Sequence, residues 1–208
     1  MRSEPTEIAV FDFDGTLYSR DSLLDFCRYY YQKKPLRLWR IALQLSALVG
    51  WKCGRLNTSE FKHRFLTFLG NDSKHEVERM AENFWSAPRA FNYKVVESLR
   101  RCQATPCFTV VASASPDLFI LPACNILGVD EVVGTELTFI NGRYSLEKNC
   151  RGDEKLRRIK VRFPSSPIRE AYSDNLDDLR LLQIAGKGFV VKKGAVVPVS
   201  ASDGAHKR

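Results

Sequence analysis

The sequence predicts an α/β protein: a doubly wound parallel sheet core, Rossmann-like in layout, with an all-helical cap inserted into it. Three observations lead there. Residues 7–13 read as an apolar strand running into Asp14-Gly15-Thr16, a turn signal. After Leu17 the pattern stays helical for about eighty residues. From Cys107 onward, short apolar runs alternate with helical patterns, as in a parallel sheet covered on both faces.

Element by element, the insertion holds helices at residues 22–33, 36–49, 59–69, 74–85 and 89–102. Asn57 with Glu60 and Ser73 with Glu76 have capping-box spacing, and Gly50 and Gly70 fit helix stops. The second half reads as strand 107–112, helix 116–127, strand 131–134, a hairpin turning at Asn141-Gly142, helix 152–161, strand 168–172, helix 176–184 and strand 188–191. The core thus comprises residues 1–18 and 104–200 and the cap residues 19–103. Residues 201–208 are expected to be a flexible tail.

The 208 residues are 44% hydrophobic and 27% charged, enough to bury a core and too apolar for a disordered chain. Lys and Arg exceed Asp and Glu by 32 to 24, a net charge of +8 that favours anionic partners. The surplus is local: residues 20–64 carry ten basic and three acidic side chains. The six cysteines form no CxxC pair and do not cluster with His63, His75 or His206, so reduced thiols are expected rather than a zinc site or disulfides. Glu4, Pro5 and Glu7 stand where a secretory signal needs apolar residues, and no apolar run reaches the ~18 residues of a membrane span, which points to the cytoplasm.

Four stretches stand at strand ends or a helix start, where an open α/β sheet gathers its ligand site. They are Asp12-Phe13-Asp14-Gly15-Thr16, Val111-Ala112-Ser113-Ala114-Ser115, Lys155 in Gly152-Asp153-Glu154-Lys155, and Ser173-Asp174-Asn175-Leu176-Asp177-Asp178. Each alone has an ordinary reading as turn or cap chemistry. In this order, they resemble the haloacid dehalogenase-like superfamily, specifically its phosphoserine-phosphatase-like phosphatases, which carry a small helical cap between the first two motifs.

The resemblance implies a Mg²⁺-dependent phosphomonoesterase. Asp12 would be the nucleophile that forms an aspartyl-phosphate, and Asp14 the general acid and then base. In that superfamily the second Asp marks phosphoryl transfer and argues against dehalogenation. Ser113, the backbone N–H of Ala114 and Lys155 would bind the phosphate. The metal would take Asp12, the Asp14 carbonyl and Asp174. Asp178 would support that shell or orient Lys155, and Asp177 would face away or cap a helix. Ser115 is expected to cap the helix that follows it, with Pro116 in its first position.

The cap would choose the substrate. Residues 35–51 are nearly all apolar, with Arg37, Arg40 and Gln44 on one face and Trp39 and Trp51 near the ends. A helix over 36–49 suits either a membrane interface or the cap's own interior. Asp21, Phe26, Arg28, Tyr29 and the Lys33-Lys34-Pro35 step resemble, more narrowly, the bacterial phosphatidylglycerophosphate phosphatase branch. That resemblance implies a lipid phosphate and a peripheral position on the inner face of the plasma membrane, with an anionic membrane surface as partner. The alternative is a soluble metabolite phosphatase of phosphoserine-phosphatase type, for which Asp21 and Arg64 would contact the substrate. Against it, Arg64 falls one position off and Ser113-Ala114-Ser115-Pro116 stands where Ser-Gly-Gly is usual. A catalytically silent membrane-binding module is the reading from another class. No aromatic-basic pattern signals nucleic acid, and the oligomeric state is left open.

Overall fold

The computed structural model describes residues 4–140 and 142–199; Asn141 and the expected flexible tail lie outside the described residues. Among these, the strands are β1 (Ile8–Phe11), β2 (Phe108–Pro116), β3 (Glu131–Thr135), β4 (Leu137–Ile140), β5 (Arg143–Leu146), β6 (Ile168–Ser173), β7 (Lys187–Lys192) and β8 (Ala195–Pro198). Six of them form one sheet in the order β3-β2-β1-β6-β7-β8, parallel throughout except for the β7–β8 pair. β4 and β5 form a separate antiparallel hairpin.

Strand β1 shows why its apolar run is unbroken. Ala9 and Phe11 belong to the apolar cluster on one face, Ile8 and Val10 to that on the other, and all four are fully buried. Period-two alternation therefore feeds two cores rather than a core and solvent. On the first face, Phe11, Tyr172 and Phe189 occupy paired positions on three adjacent strands and stack at 4.6 and 4.7 Å. The α/β class and the doubly wound parallel sheet are as the sequence predicts.

The helices are α1 (Ser22–Lys33), α2 (Ile41–Lys52), α3 (Thr58–Phe65), α4 (Lys74–Trp85), α5 (Tyr93–Gln103), α6 (Asp117–Leu127), α7 (Asp153–Arg162) and α8 (Leu179–Ile184). α1 to α5 fall between β1 and β2, and α5 packs on β2 and β8 rather than on the other inserted helices. The Asn57–Glu60 capping box forms with both hydrogen bonds. The two segments that join the helical unit to the sheet run side by side: Ser19 N–H donates to Ala90 O (3.0 Å) and Asn92 N–H to Leu17 O (2.8 Å).

Several boundaries differ from expectation for physical reasons. Residues 89–92 are extended because they pair with the outgoing segment, so α5 starts at Tyr93. Gly50 lies inside α2, which runs on to Lys52. β8 is not foreseen; the Lys193-Gly194 turn that creates it has positive φ at both residues (49° and 80°), the geometry of a type I′ hairpin. A lysine there hides the usual Asn-Gly signal.

The expected helix over 36–49 is instead a 3₁₀ turn (Pro35–Arg40) followed by α2. Three residues per turn put Arg37 and Arg40 on one side. Arg37 donates to Leu69 O (2.7 Å) and to Asp72 (2.5 Å), and Arg40 to Thr67 O (2.6 Å). Gly70 lets this happen: its φ is +62°, and a Cβ there would stand 2.4 Å from the Arg40 guanidinium.

Asp72 is the hub of the helical unit. Its carboxylate accepts from the Tyr30 hydroxyl, Lys34 and Arg37, and its carbonyl from the Tyr144 hydroxyl of β5 (3.0 Å). Burial works against its charge, but the hydrogen bonds from Arg37, Lys34 and Tyr30 outweigh it and hold the carboxyl below the usual range. That stabilisation is complete above the carboxyl's unfolded value of ~3.9 and is lost as pH falls through the depressed folded value. We expect Asp72→Asn to lower unfolding free energy by about 3 kcal/mol, as for one lost member of a buried ion pair, measured by urea denaturation at neutral pH. A loss below about 0.5 kcal/mol would show that the hub does not hold the helices.

Candidate active site

The C-terminal ends of β1, β2 and β6 are adjacent, at the point where strand order turns from β2 and β3 on one side to β6 and β7 on the other. Such a switch point opens a crevice. Here it holds a pocket of about 390 Å³ lined by residues that include Asp12, Asp14, Ser113, Ala114, Lys155 and Asp174.

Asp12 follows β1 directly and is 9% exposed. Its Oδ1 accepts the Phe13 N–H (2.8 Å) and lies 3.0 Å from Lys155 Nζ; its Oδ2 accepts from the Ser173 hydroxyl (3.2 Å). Lys155 Nζ also lies 2.5 Å from Asp178, and Ser173 Oγ 2.8 Å from the same carboxylate. Burial pushes the Asp12 carboxyl up, with Lys155 opposing. For Lys155, burial opposes the charge, but Asp12 and Asp178 prevail and push it up to about 12. The ammonium therefore stays charged beside the strand end. Asp177 faces outward to Arg151 (2.7 Å).

Asp14 is held by two donors: its Oδ1 accepts the Ser22 N–H (2.7 Å), its Oδ2 the Ser115 hydroxyl. Burial raises its pKa to about 6 against the Ser115 bond, with the charge of Asp21 adding to the rise. A carboxyl poised there can carry a proton near neutral pH. Ser115 does not cap α6, contrary to expectation. β2 runs on through it to Pro116, which takes the cap position, and the freed hydroxyl reaches Asp14.

Asp174 lies against the turn after β1. Its N–H donates to Thr16 Oγ1 (2.9 Å), and Thr16 Oγ1 stands 3.3 Å from its carboxylate. Gly15 has φ +71°, and a Cβ there would meet Asp174 Oδ2 at 2.1 Å, so only glycine lets this acid approach β1. Burial and then the charge of Asp12 push the Asp174 carboxyl up. A carboxylate raised by the charge of a neighbouring one favours a cation between them.

Ser113 is buried, its Oγ accepting the Ser115 N–H (3.0 Å). The Ala114 carbonyl takes two donors from elsewhere: Thr135 Oγ1 (3.0 Å) and Lys62 Nζ (2.8 Å). Lys62 comes from α3 and also donates to Asn149 (3.0 Å); burial pulls it down to about 8 despite the nearby Asp14. Asp21 lines the pocket too and caps α1 by accepting the Leu24 N–H (2.8 Å). Arg37 and Arg40 do not line it; both guanidiniums are spent within the helical unit, and Arg64 is exposed elsewhere on α3. Arg20, Lys62, Ser173 and Arg151 are site residues without assigned roles from sequence alone. Lys62 carries no sequence signal, because nothing in α3 marks which of its basic residues turns inward.

Comparison with known proteins gives this geometry its kin. The chain is 30% identical over 203 residues to protein CicA of Caulobacter vibrioides, covering 93% of this chain and 90% of that one. It is 26% identical over 215 residues to a histidinol-phosphatase of Neisseria meningitidis, covering 94% and 95%. A solved structure of a protein with unknown function from Bordetella pertussis shares the fold with a TM-score of 0.71, at 20% identity over 85% of this chain and 86% of that one. A family model matches residues 9–183, a span that runs from the first strand through all four motifs, and the chain belongs to the haloacid dehalogenase-like hydrolases.

Proposed function

We propose that this chain is a phosphomonoesterase that works through an aspartyl-phosphate on Asp12. The observation that carries this reading is the convergence, in one buried pocket, of Asp12, a charged Lys155 and a second carboxyl, Asp14, whose raised pKa suits proton transfer. An Asp12 carboxylate oxygen attacks phosphorus, and the bond to the ester oxygen breaks. Asp14 gives its proton to that leaving oxygen. It then takes a proton from water as the water attacks phosphorus, releasing inorganic phosphate and restoring Asp12. Lys155, Ser113 and the Ala114 N–H offset charge on the non-bridging oxygens.

The donors fit Mg²⁺. Among the described residues no three His, Cys, Asp or Glu side chains form a ready cage. The site instead offers two carboxylates, Asp12 and Asp174, the charge of the first raising the second, and the family resemblance adds the Asp14 carbonyl as a third oxygen. An ion that keeps several waters and takes one or two carboxylates plus substrate phosphate suits such a set. When bound, it would neutralise the carboxylates and the substrate dianion.

The alcohol portion has two readings. The Neisseria relative's name points, for that protein, to histidinol phosphate and supports a small alcohol here. A lipid phosphate is favoured by a different feature: Leu36, Trp39 and Val49 are exposed on the same helical unit that carries Lys62 into the pocket.

With p-nitrophenyl phosphate and Mg²⁺, Asp12→Asn is expected to abolish phosphate release, and retained turnover would sink the mechanism. Asp14→Asn should lower turnover by about 10²–10⁴-fold. Gly15→Ala should displace Asp174, weakening Mg²⁺ binding by about tenfold or more in calorimetric titration and costing about 1–2 kcal/mol of stability. Unchanged Mg²⁺ affinity would remove Asp174 from the metal site.

A further inference from the structure

Helix α2 is built inside out. The residues it buries are Gln44 and Ala47. Gln44 Nε2 donates to Phe65 O (2.9 Å), and its Oε1 accepts from the Tyr31 hydroxyl (2.9 Å). The one polar amide of the helix thus faces the protein, while its aliphatic side chains face water. Val49 is 60% exposed, and in the preceding 3₁₀ turn Trp39 is 63% and Leu36 93% exposed. A segment that is apolar nearly all round is normally covered. Among the described residues, none covers Leu36, Trp39 or Val49.

We propose that the outer face of residues 36–51 docks on an anionic lipid surface. Charge decides between a bilayer and a second copy of the chain. Residues 26–59 contain seven Lys and Arg and no Asp or Glu across 34 positions. Among the described residues Lys33, Arg40, Lys52 and Arg55 have no carboxylate within ion-pair distance. A two-fold dimer through this face would set two such basic segments against each other, whereas anionic headgroups complement them. Trp39 and Trp51 stand near the two ends of the segment, and Lys33, Lys52 and Arg55 are exposed beside it, an apolar body with a charged rim. No helix of the described residues is long and apolar enough to cross a membrane, so the contact is one of lying on the surface. As a source of substrate, the surface rests on the phosphatase reading above; the docking itself does not.

The test is flotation of the full chain carrying Asp12→Asn, which separates docking from turnover. Vesicles of phosphatidylcholine with phosphatidylglycerol should carry about tenfold more protein than phosphatidylcholine alone, and high salt should release it. Two variants check the face: Leu36→Ser/Trp39→Ser/Val49→Ser, and Lys33→Glu/Lys52→Glu/Arg55→Glu. Both alter exposed side chains, so urea midpoints should match the parent while flotation falls about tenfold. Absence of flotation at low salt, flotation unaffected by the apolar triple substitution, or a sedimenting dimer that this substitution dissociates would each overturn the proposal.

Discussion

Lys155 reaches the strand ends from the first turn of α7, where the helix dipole disfavours a cation, and it is held there by two carboxylates. Asp12 lies 3.0 Å and Asp178 2.5 Å from its ammonium, in a pocket where all three groups are almost fully buried. Without Lys155, burial would drive the Asp12 carboxyl toward its neutral form. The Ser173 hydroxyl and the Gly152 N–H (3.2 Å to Asp178) fill remaining acceptor positions. This arrangement ties β1, the end of β6 and α7 together, and the rest of the pocket is organised around it.

Much of this was legible in sequence because it depends on short local patterns. An apolar run ending in Asp, a Ser-rich strand end and an acidic turn keep their meaning wherever the chain goes. Side-chain destinations that depend on tertiary contact were not legible. Ser115 has the look of a helix cap, yet a longer β2 hands its hydroxyl to Asp14. Lys62 resembles its neighbour Arg64 in every local respect, and only the packing of α3 turns one to the Ala114 carbonyl and leaves the other exposed.

Residues 35–52 show a different limit. Periodicity reports a face only when faces differ, and here nearly every face is apolar. The orientation was set by long-range polar partners: the carbonyls of Phe65, Thr67 and Leu69 and the carboxylate of Asp72 draw Gln44, Arg40 and Arg37 inward. Hydrogen bonding to backbone oxygen thereby overrode hydrophobic patterning, and the cost is apolar surface left in water.

The paired segments at residues 17–19 and 90–92 have a mechanical consequence. Two separate tethers would allow the helical unit to slide, tilt and twist over the pocket. Hydrogen-bonded to each other, they act as one ribbon, stiff within its plane and compliant across it. The chain therefore enters and leaves the helical unit through one doubled strand, and Lys62 is presented to the Ala114 carbonyl from a unit whose two ends are fixed to each other at a single place.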